Sequence, residues 1–184
     1  DIASSSNSAI LNLSFVGGAE TSTESNVSIS TIAGGYDYFA SAEDIDISLI
    51  LTGKSFGGLH GEQLGNYIVD NIVEKRKDCV AFISPAKESV VNQVGYEATN
   101  IIAFRNQSRD TSYAVMDSGY KKMYDRYNDI YRWIPLNGDI AGLCVRTDTT
   151  NDPWWSPAGF NRGQIKNVVQ LAYNPRKAER DDLY

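Results

Sequence analysis

The sequence has few of the residues from which small metal and disulfide sites are built. It contains one histidine, His60, and two cysteines, Cys79 and Cys144, among 184 residues. The cysteines lie in separate apolar runs, and no Cys-x-x-Cys or Cys/His spacing occurs. This argues against a zinc site or a disulfide framework. We interpret both cysteines as small core residues of a chain that folds in a reducing environment.

Long apolar runs and an excess of positive charge are also missing. No stretch approaches the roughly 18 consecutive apolar residues of a transmembrane helix, so we expect no membrane partner. The net charge of −6 argues against a general affinity for nucleic acid. The chain begins with Asp1 and stops within a predicted helix, so we expect a fragment of a longer protein.

Helices and strands alternate from residue 31 onward. Buried strands are predicted at residues 45–53, 79–84 and 111–117, and helices at 61–76 and 85–107. Leu64, Ile68 and Ile72 form a core-facing helical stripe. Two strand–helix–strand crossovers predict an α/β fold with a mainly parallel or mixed sheet flanked by helices.

The two ends of the chain follow other patterns. Alternation over residues 120–136 predicts an added antiparallel hairpin, which is followed by a helix, a strand at 164–174 and a final helix. Residues 1–30 are rich in Ser, Thr, Asn and Gly, with one strand predicted at Ile10–Val16. We therefore divide the chain into 1–30, the end of a preceding domain plus a mobile linker, and 31–184, the α/β domain.

A glycine-rich turn from Gly53 to Gly61 is the strongest hint of an enzyme. A turn between a buried strand and a helix is where α/β proteins bind phosphates, and Gly-Lys-Ser occurs in it. A Walker loop, however, requires glycine where Ser48 stands, and GxGxxG is absent. An α/β nucleotide-binding or hydrolytic enzyme remains the alternative function, and it predicts a melting point raised by ATP with Mg²⁺.

The hairpin combines basic and aromatic residues. Such a pattern occurs in single-stranded nucleic-acid sites, in hairpins with one packed face and in protein interfaces. Because Asp125 and Asp129 reduce the net positive charge of the hairpin, we favour a protein contact and expect no nucleic acid. The residues in question are Lys121, Lys122, Arg126 and Arg132, with Tyr120, Tyr124, Tyr127, Tyr131 and Trp133.

The segment WWSPAGFNRG, residues 154–163, packs aromatic, proline, glycine and arginine side chains into ten positions. Its prolines restrict the backbone, its glycines permit tight turns, and Arg162 offers five donors to nearby carbonyls. Composition alone leaves a binding loop and a rigid scaffold equally open. No nucleophile motif accompanies His60 anywhere in the chain, and no third ligand stands beside the Asp44/Asp46 or Asp181/Asp182 pairs. We therefore predict no catalytic residue, no metal and no cofactor.

At this segment the sequence resembles the tail sheath proteins of contractile-tailed, myovirus-type bacteriophages, which carry an S-P-A-G-aromatic-N-R-G stretch. YDRYNDIYRWIPLNGDIAG, DCVAFISPAKESV and VGGAETST are similar to further segments of that family, in the same order. The motif residues, to which the resemblance assigns a structural role, are Trp155, Ser156, Pro157, Ala158, Gly159, Asn161, Arg162 and Gly163.

The resemblance implies a structural subunit rather than an enzyme. Family members stack into a sheath around the tail tube and contract to drive the tube through the host envelope. The implied location is the virion tail, assembled in the host cytoplasm, and the implied partners are other sheath subunits, with the tail tube and baseplate contacted through parts missing here. Because those parts include the linking arms, we expect this fragment to be monomeric.

Two charged rims are candidate subunit contacts under this resemblance. One is Glu74–Asp78 and the other Arg176–Asp182, where Arg176, Arg180 and Asp181 are the possible interface residues. For the loop, we expect Arg162 to bind backbone carbonyls and the tryptophans to pack as anchors.

Overall fold

A computed structural model describes residue 23 and residues 26–183. The helices are α1 (Ile29–Tyr36), α2 (His60–Ile68), α3 (Glu74–Arg76), α4 (Lys87–Val90), α5 (Glu97–Gln107), α6 (Asn137–Thr150) and α7 (Lys177–Leu183). A π-helical turn, Val69–Val73, joins α2 to α3, and a 3₁₀ turn, Asp37–Phe39, follows α1. The strands are β1 (Leu49–Leu51), β2 (Val80–Ile83), β3 (Ala114–Met116), β4 (Tyr120–Asp125), β5 (Ile130–Pro135) and β6 (Gln170–Leu171).

The first three strands form a parallel sheet in the order β1-β2-β3. Ile50 aligns with Ala81, and Phe82 aligns with Val115. Helices connect each strand to the next, as parallel pairing requires. The predicted α/β fold with a mainly parallel sheet is thus confirmed.

The core lies between this sheet and its helices. Leu64, Ile68 and Ile72 are buried against sheet residues such as Ile50 and Ala81, which confirms the predicted stripe. Side chains of α1 and Phe104 of α5 complete the same cluster. Burial of this apolar surface is the main term that stabilises the domain.

A buried arginine holds the irregular segment before β1. The Arg76 side chain is 1% exposed and pairs with Asp78 at 2.9 Å. It also donates to the carbonyls of Phe39, Ser41 and Ile45 at 2.8–2.9 Å. Because these bonds fix the chain up to residue 45, the strand begins at Leu49 and is shorter than the predicted 45–53.

The prediction of one helix over residues 85–107 is wrong. The chain breaks between α4 and α5, where Asn92 and Gly95 adopt φ values of 61° and 88°. These left-handed conformations end a helix. Val94, which lies in this break, is 88% exposed.

The remaining strands form a second, antiparallel sheet in the order β5-β4-β6. The predicted hairpin is confirmed, with β4 and β5 paired from Tyr120–Pro135 to Asp125–Ile130. The strand predicted at 164–174 is reduced to Gln170–Leu171, which pairs with β4. Within the described residues, no helix combines the length and apolarity that crossing a bilayer requires.

The expected strand at Ile10–Val16 lies outside the described residues. The division of the chain at residue 30 therefore remains a prediction.

Gly61 provides a test of the packing at the start of α2. A Cβ at this position would lie 2.6 Å from Ser55 Cβ, and Ser55 is held in place by its hydroxyl bond to the Ser84 carbonyl at 2.7 Å. We expect Gly61→Ala to lower the free energy of unfolding by about 1–3 kcal/mol, as overpacking does. Urea unfolding of the chain measures this.

The matched control is Gly34→Ala in α1, where a Cβ would meet nothing within 4 Å. There the change should raise the free energy of unfolding by up to about 1 kcal/mol, the helix preference of alanine over glycine. Equal effects at both positions would contradict the proposed packing.

Candidate functional site

Polar side chains close the carboxyl edge of the parallel sheet, where α/β proteins commonly bind ligands. Thr52, Ser84 and Asp117 each follow one strand. Ser84 donates to Asp117 at 2.5 Å and accepts from the Asn137 backbone N–H, at the start of α6, at 3.1 Å. Asn137 Nδ2 also donates to the Gly53 carbonyl at 2.6 Å. The sheet edge therefore packs against the start of α6. We call this contact, made by Thr52, Ser84, Asp117 and Asn137, the joint.

Asp117 is the titratable group of this joint. Burial raises the pKa of its carboxyl to about 7, and the negative charge of Asp139 adds to that effect. Bonds from the Ser84 hydroxyl and the Gly119 N–H, the latter at 2.8 Å, oppose it. Asp117 therefore takes up a proton near neutral pH.

Strand β4 attaches the second sheet to the same joint. Tyr120 is buried, with its hydroxyl 3.5 Å from the Ser55 carbonyl. The next residue, Lys121, is also buried and pairs with Asp139 of α6 at 2.7 Å. A buried ammonium requires such a partner. This ion pair fixes the hairpin sheet to α6.

The Gly53–Gly61 turn is packed at Ser55 and Gly61, whereas Gly57, Gly58 and Leu59 are exposed. The Ser55 side chain lies against Gly61 at the start of α2, where a bound phosphate would need the free N–H groups. The Glu88 carboxylate lies beside Gly57, and Glu62 is buried in the first turn of α2. Two carboxylates beside the turn oppose a bound phosphate.

His60 packs against an aromatic ring. His60 begins α2 and packs edge-on against Phe56, with ring centroids 5.1 Å apart and neither nitrogen hydrogen-bonded. Among the residues that the structure describes, no group of three His, Cys, Asp or Glu side chains could hold a metal ion.

Two arginines fix the loop at residues 154–163. Arg162 donates to the Ser156 carbonyl at 3.1 Å and lies 3.4 Å from that of Ala158. Arg146 of α6 donates to the carbonyls of Asn161 and Arg162 at 2.8 and 2.9 Å. The expected bonds from Arg162 to backbone carbonyls are present. The bonds from Arg146 connect the loop to α6.

Glycines make the same loop compact. Gly159 has a φ of 123°, and a Cβ on Gly163 would lie 3.0 Å from the backbone of Gly159. The Gly163 N–H donates to the Gly159 carbonyl at 2.8 Å. These two positions explain the glycines of the motif, while the wider role of Trp155, Pro157 and Asn161 remains a prediction.

The expectation that the tryptophans pack as anchors is wrong. Trp154 is 79% exposed and Phe160 is 97% exposed. Trp155 is half-exposed, with the Arg162 guanidinium 5.2 Å from its ring centroid. The loop holds its aromatic side chains toward solvent because its order comes from bonds to its backbone.

The charged rims differ from each other. Glu74 accepts a hydrogen bond from Thr111, and Arg76 is buried. These side chains of the segment 74–78 therefore make contacts within the domain. Arg176, Arg180 and Asp181 are exposed, with no side-chain ion pair formed among the described residues. The second rim remains available for contacts.

Charges of the hairpin are partly paired with each other. Asp125 accepts from Asn128 and from Arg132, each at 2.8 Å, and these bonds lower the pKa of its carboxyl to about 2. Lys122 lies over the rings of Tyr131 and Trp133. The resulting surface is aromatic, with little net charge.

Sequence reasoning missed Arg76, Arg146 and Asp117. Each contacts residues far along the chain, so no local spacing indicates its role. A polar residue at the carboxyl end of a predicted parallel strand is a signal that Thr52, Ser84 and Asp117 share.

Comparison with known proteins identifies related chains. A family model described as the phage tail sheath protein central domain matches residues 62–184. The tail sheath protein of Enterobacteria phage T4 is 39% identical over 188 residues, which cover 96% of this chain and 28% of the relative. The tail sheath protein of Vibrio phage KVP40 is 42% identical over 166 residues, which cover 82% of this chain and 25% of the relative. The tail sheath protein of Salmonella phage ViI is 39% identical over 60% of this chain. The chain spans 18–28% of the length of these curated relatives.

The half-buried Asp117 carboxyl, with its raised pKa, predicts a pH-dependent stability. Its pKa in the folded chain, about 7, lies above its ordinary value near 4. Between these values the folded state retains a proton that the unfolded state loses, so stability falls as pH rises through this window. In Asp117→Asn this pH-dependent contribution to the free energy of unfolding is absent, because the amide does not titrate. The variant should therefore gain stability relative to the parent by up to about 1.4 kcal/mol per pH unit from pH 4 to 7, and no further above 7.

Urea unfolding at several pH values tests this, with the exposed Asp44→Asn as control. If the difference between Asp117→Asn and the parent did not vary with pH, the assignment of a neutral carboxyl at this joint would be wrong.

Arg162 provides a separate test of the loop. We expect Arg162→Ala to speed amide hydrogen exchange at Gly163, whose N–H bond closes the loop, because the loop opens locally. Global stability should fall by only about 1 kcal/mol, the net value of such hydrogen bonds. Arg180→Ala, which removes an exposed arginine elsewhere, is the control. Unchanged exchange at Gly163 would show that Arg162 does not hold the loop.

Proposed function

The chain belongs to the phage tail sheath central-domain family, and from this premise we propose that it is the structural domain of a subunit that polymerises around the tail tube. In this proposal the assembled sheath contracts and drives the tube through the host envelope. The protein acts in the virion tail after assembly in the host cytoplasm. Its partners are other sheath subunits, while segments outside this chain contact the tube and the baseplate.

One observation supports a contact role above the others. The loop at 154–163 is fixed by Arg146 and Arg162, yet it holds Trp154 and Phe160 in solvent. Rigid exposed aromatics are typical anchors of protein interfaces.

The packing of the joint also supports a structural role. Beside Thr52 and Ser84, the sheet edge at which α/β enzymes bind substrates is filled by Asn137. Contraction requires packed domains that move as units and exchange contacts. Neither catalysis nor a cofactor is part of this proposal.

Electron microscopy of the sheath protein that contains this chain tests the proposal. We expect tubes to form from the purified protein, whereas the chain alone should remain monomeric in sedimentation velocity. A protein that gives no tubes under any assembly condition would overturn the proposed function.

The exposed rim of α7 allows a sharper experiment. We expect Arg180→Glu to reduce tube formation, because it places a negative charge on a surface that we propose meets another subunit. Arg180→Lys keeps the charge and is the matched control; Arg176→Glu extends the test. Normal tubes from both reversed variants would remove this rim from the interface.

A further inference from the structure

The fixed loop carries two large apolar side chains that nothing in the described structure covers. Trp154 and Phe160 are almost fully exposed. A flexible loop could bury them by rearranging, but Arg146 and Arg162 bind its carbonyls. Such preorganised aromatics lose little conformational entropy on binding. We call Trp154 and Phe160 the aromatic knob.

A cleft on the same chain matches this knob in chemistry. It has a volume of about 730 Å³ and lies between the hairpin and residues 167–169. Its walls are mostly apolar and include Met123, Tyr127, Ile134, Val168 and Val169. Tyr127 is 85% exposed and Val169 is exposed as well, so the cleft is unfilled. We call it the hairpin cleft.

The charges beside the two surfaces are complementary. Asp152, next to the knob, is exposed, and its carboxylate meets no cation among the described residues. Arg126, on the wall of the cleft, contacts the Tyr127 ring and hydroxyl but no carboxylate in the described part of the chain. Asp125 and Arg132 of the cleft wall pair with each other, so Arg126 and Asp152 are opposite charges that each lack an ionic partner in the described part of the chain.

We propose that the aromatic knob of one copy enters the hairpin cleft of a second copy, with Asp152 facing Arg126. The inference rests on the proposed function, because it assigns one contact of the polymer. The two surfaces differ, so the contact is heterologous, and such contacts propagate into open helical assemblies unless the rotation closes a ring. Each aromatic side chain would bury about 150–250 Å².

Cross-linking between two single-cysteine variants tests the contact. Sheath protein carrying Phe160→Cys is mixed with protein carrying Val169→Cys, assembled, and treated with a short bismaleimide. We expect a covalent dimer on a denaturing gel. In the control, Val94→Cys, exposed in the bend between α4 and α5, replaces Val169→Cys. The parent protein reports the background from Cys79 and Cys144.

The outcomes separate this inference from the proposed function. Tubes without a dimer above background would overturn the contact and leave the sheath function intact. A dimer formed by Phe160→Cys alone would also overturn it, because that indicates a symmetric contact between knobs. Absence of tubes from the parent protein would overturn the proposed function and this contact with it.

A charge exchange tests the same contact without cysteines. We expect Asp152→Arg or Arg126→Asp alone to raise the protein concentration needed for tube formation several-fold. The double variant Asp152→Arg/Arg126→Asp should restore it, which a merely structural role for either residue would not produce. Failure of the double variant to recover would refute the pairing.

Discussion

The hydroxyl of Ser84 is the point on which the arrangement of the domain depends. It lies at the end of the central strand, donates to Asp117 and accepts from the first N–H of α6. The backbone carbonyl of the same residue accepts from Ser55, in the turn before α2. An apolar side chain here would leave buried polar groups unsatisfied, which costs more than the bonds themselves contribute. The sheet, the turn and α6 are therefore positioned together.

This joint fills the carboxyl edge of the sheet beside Thr52 and Ser84, and the cleft that remains at that edge lies beside Asp117, between α5 and α7. In open α/β sheets the carboxyl edge is a crevice. Here Asn137 fills the edge, and Lys121 with Asp139 closes its side. The surfaces that remain for contact with other molecules lie further out, on the loop, the hairpin and α7.

Much of the fold is predictable from local pattern, because apolar periodicity reports directly on burial. Leu64, Ile68 and Ile72 indicate α2 and the π-helical turn that continues it, and the alternation on either side of Tyr127 to Asp129 indicates the hairpin. The break at Asn92 and Gly95 was missed because apolar spacing continues across it while the backbone conformation changes. The loop could be located from its motif, but not the exposure of Trp154, because the loop is held by Arg146 of another element through the carbonyls of Asn161 and Arg162.

Helix α6 has a mechanical consequence. Asn137 binds the sheet at one end of α6, and Arg146 binds the loop at residues 154–163. These two residues lie about 13 Å apart along the helix axis, at about 1.5 Å per residue. A helix resists compression along its axis, so α6 acts as a strut between the loop and the sheet. The loop and the sheet edge are therefore connected through the two ends of one helix.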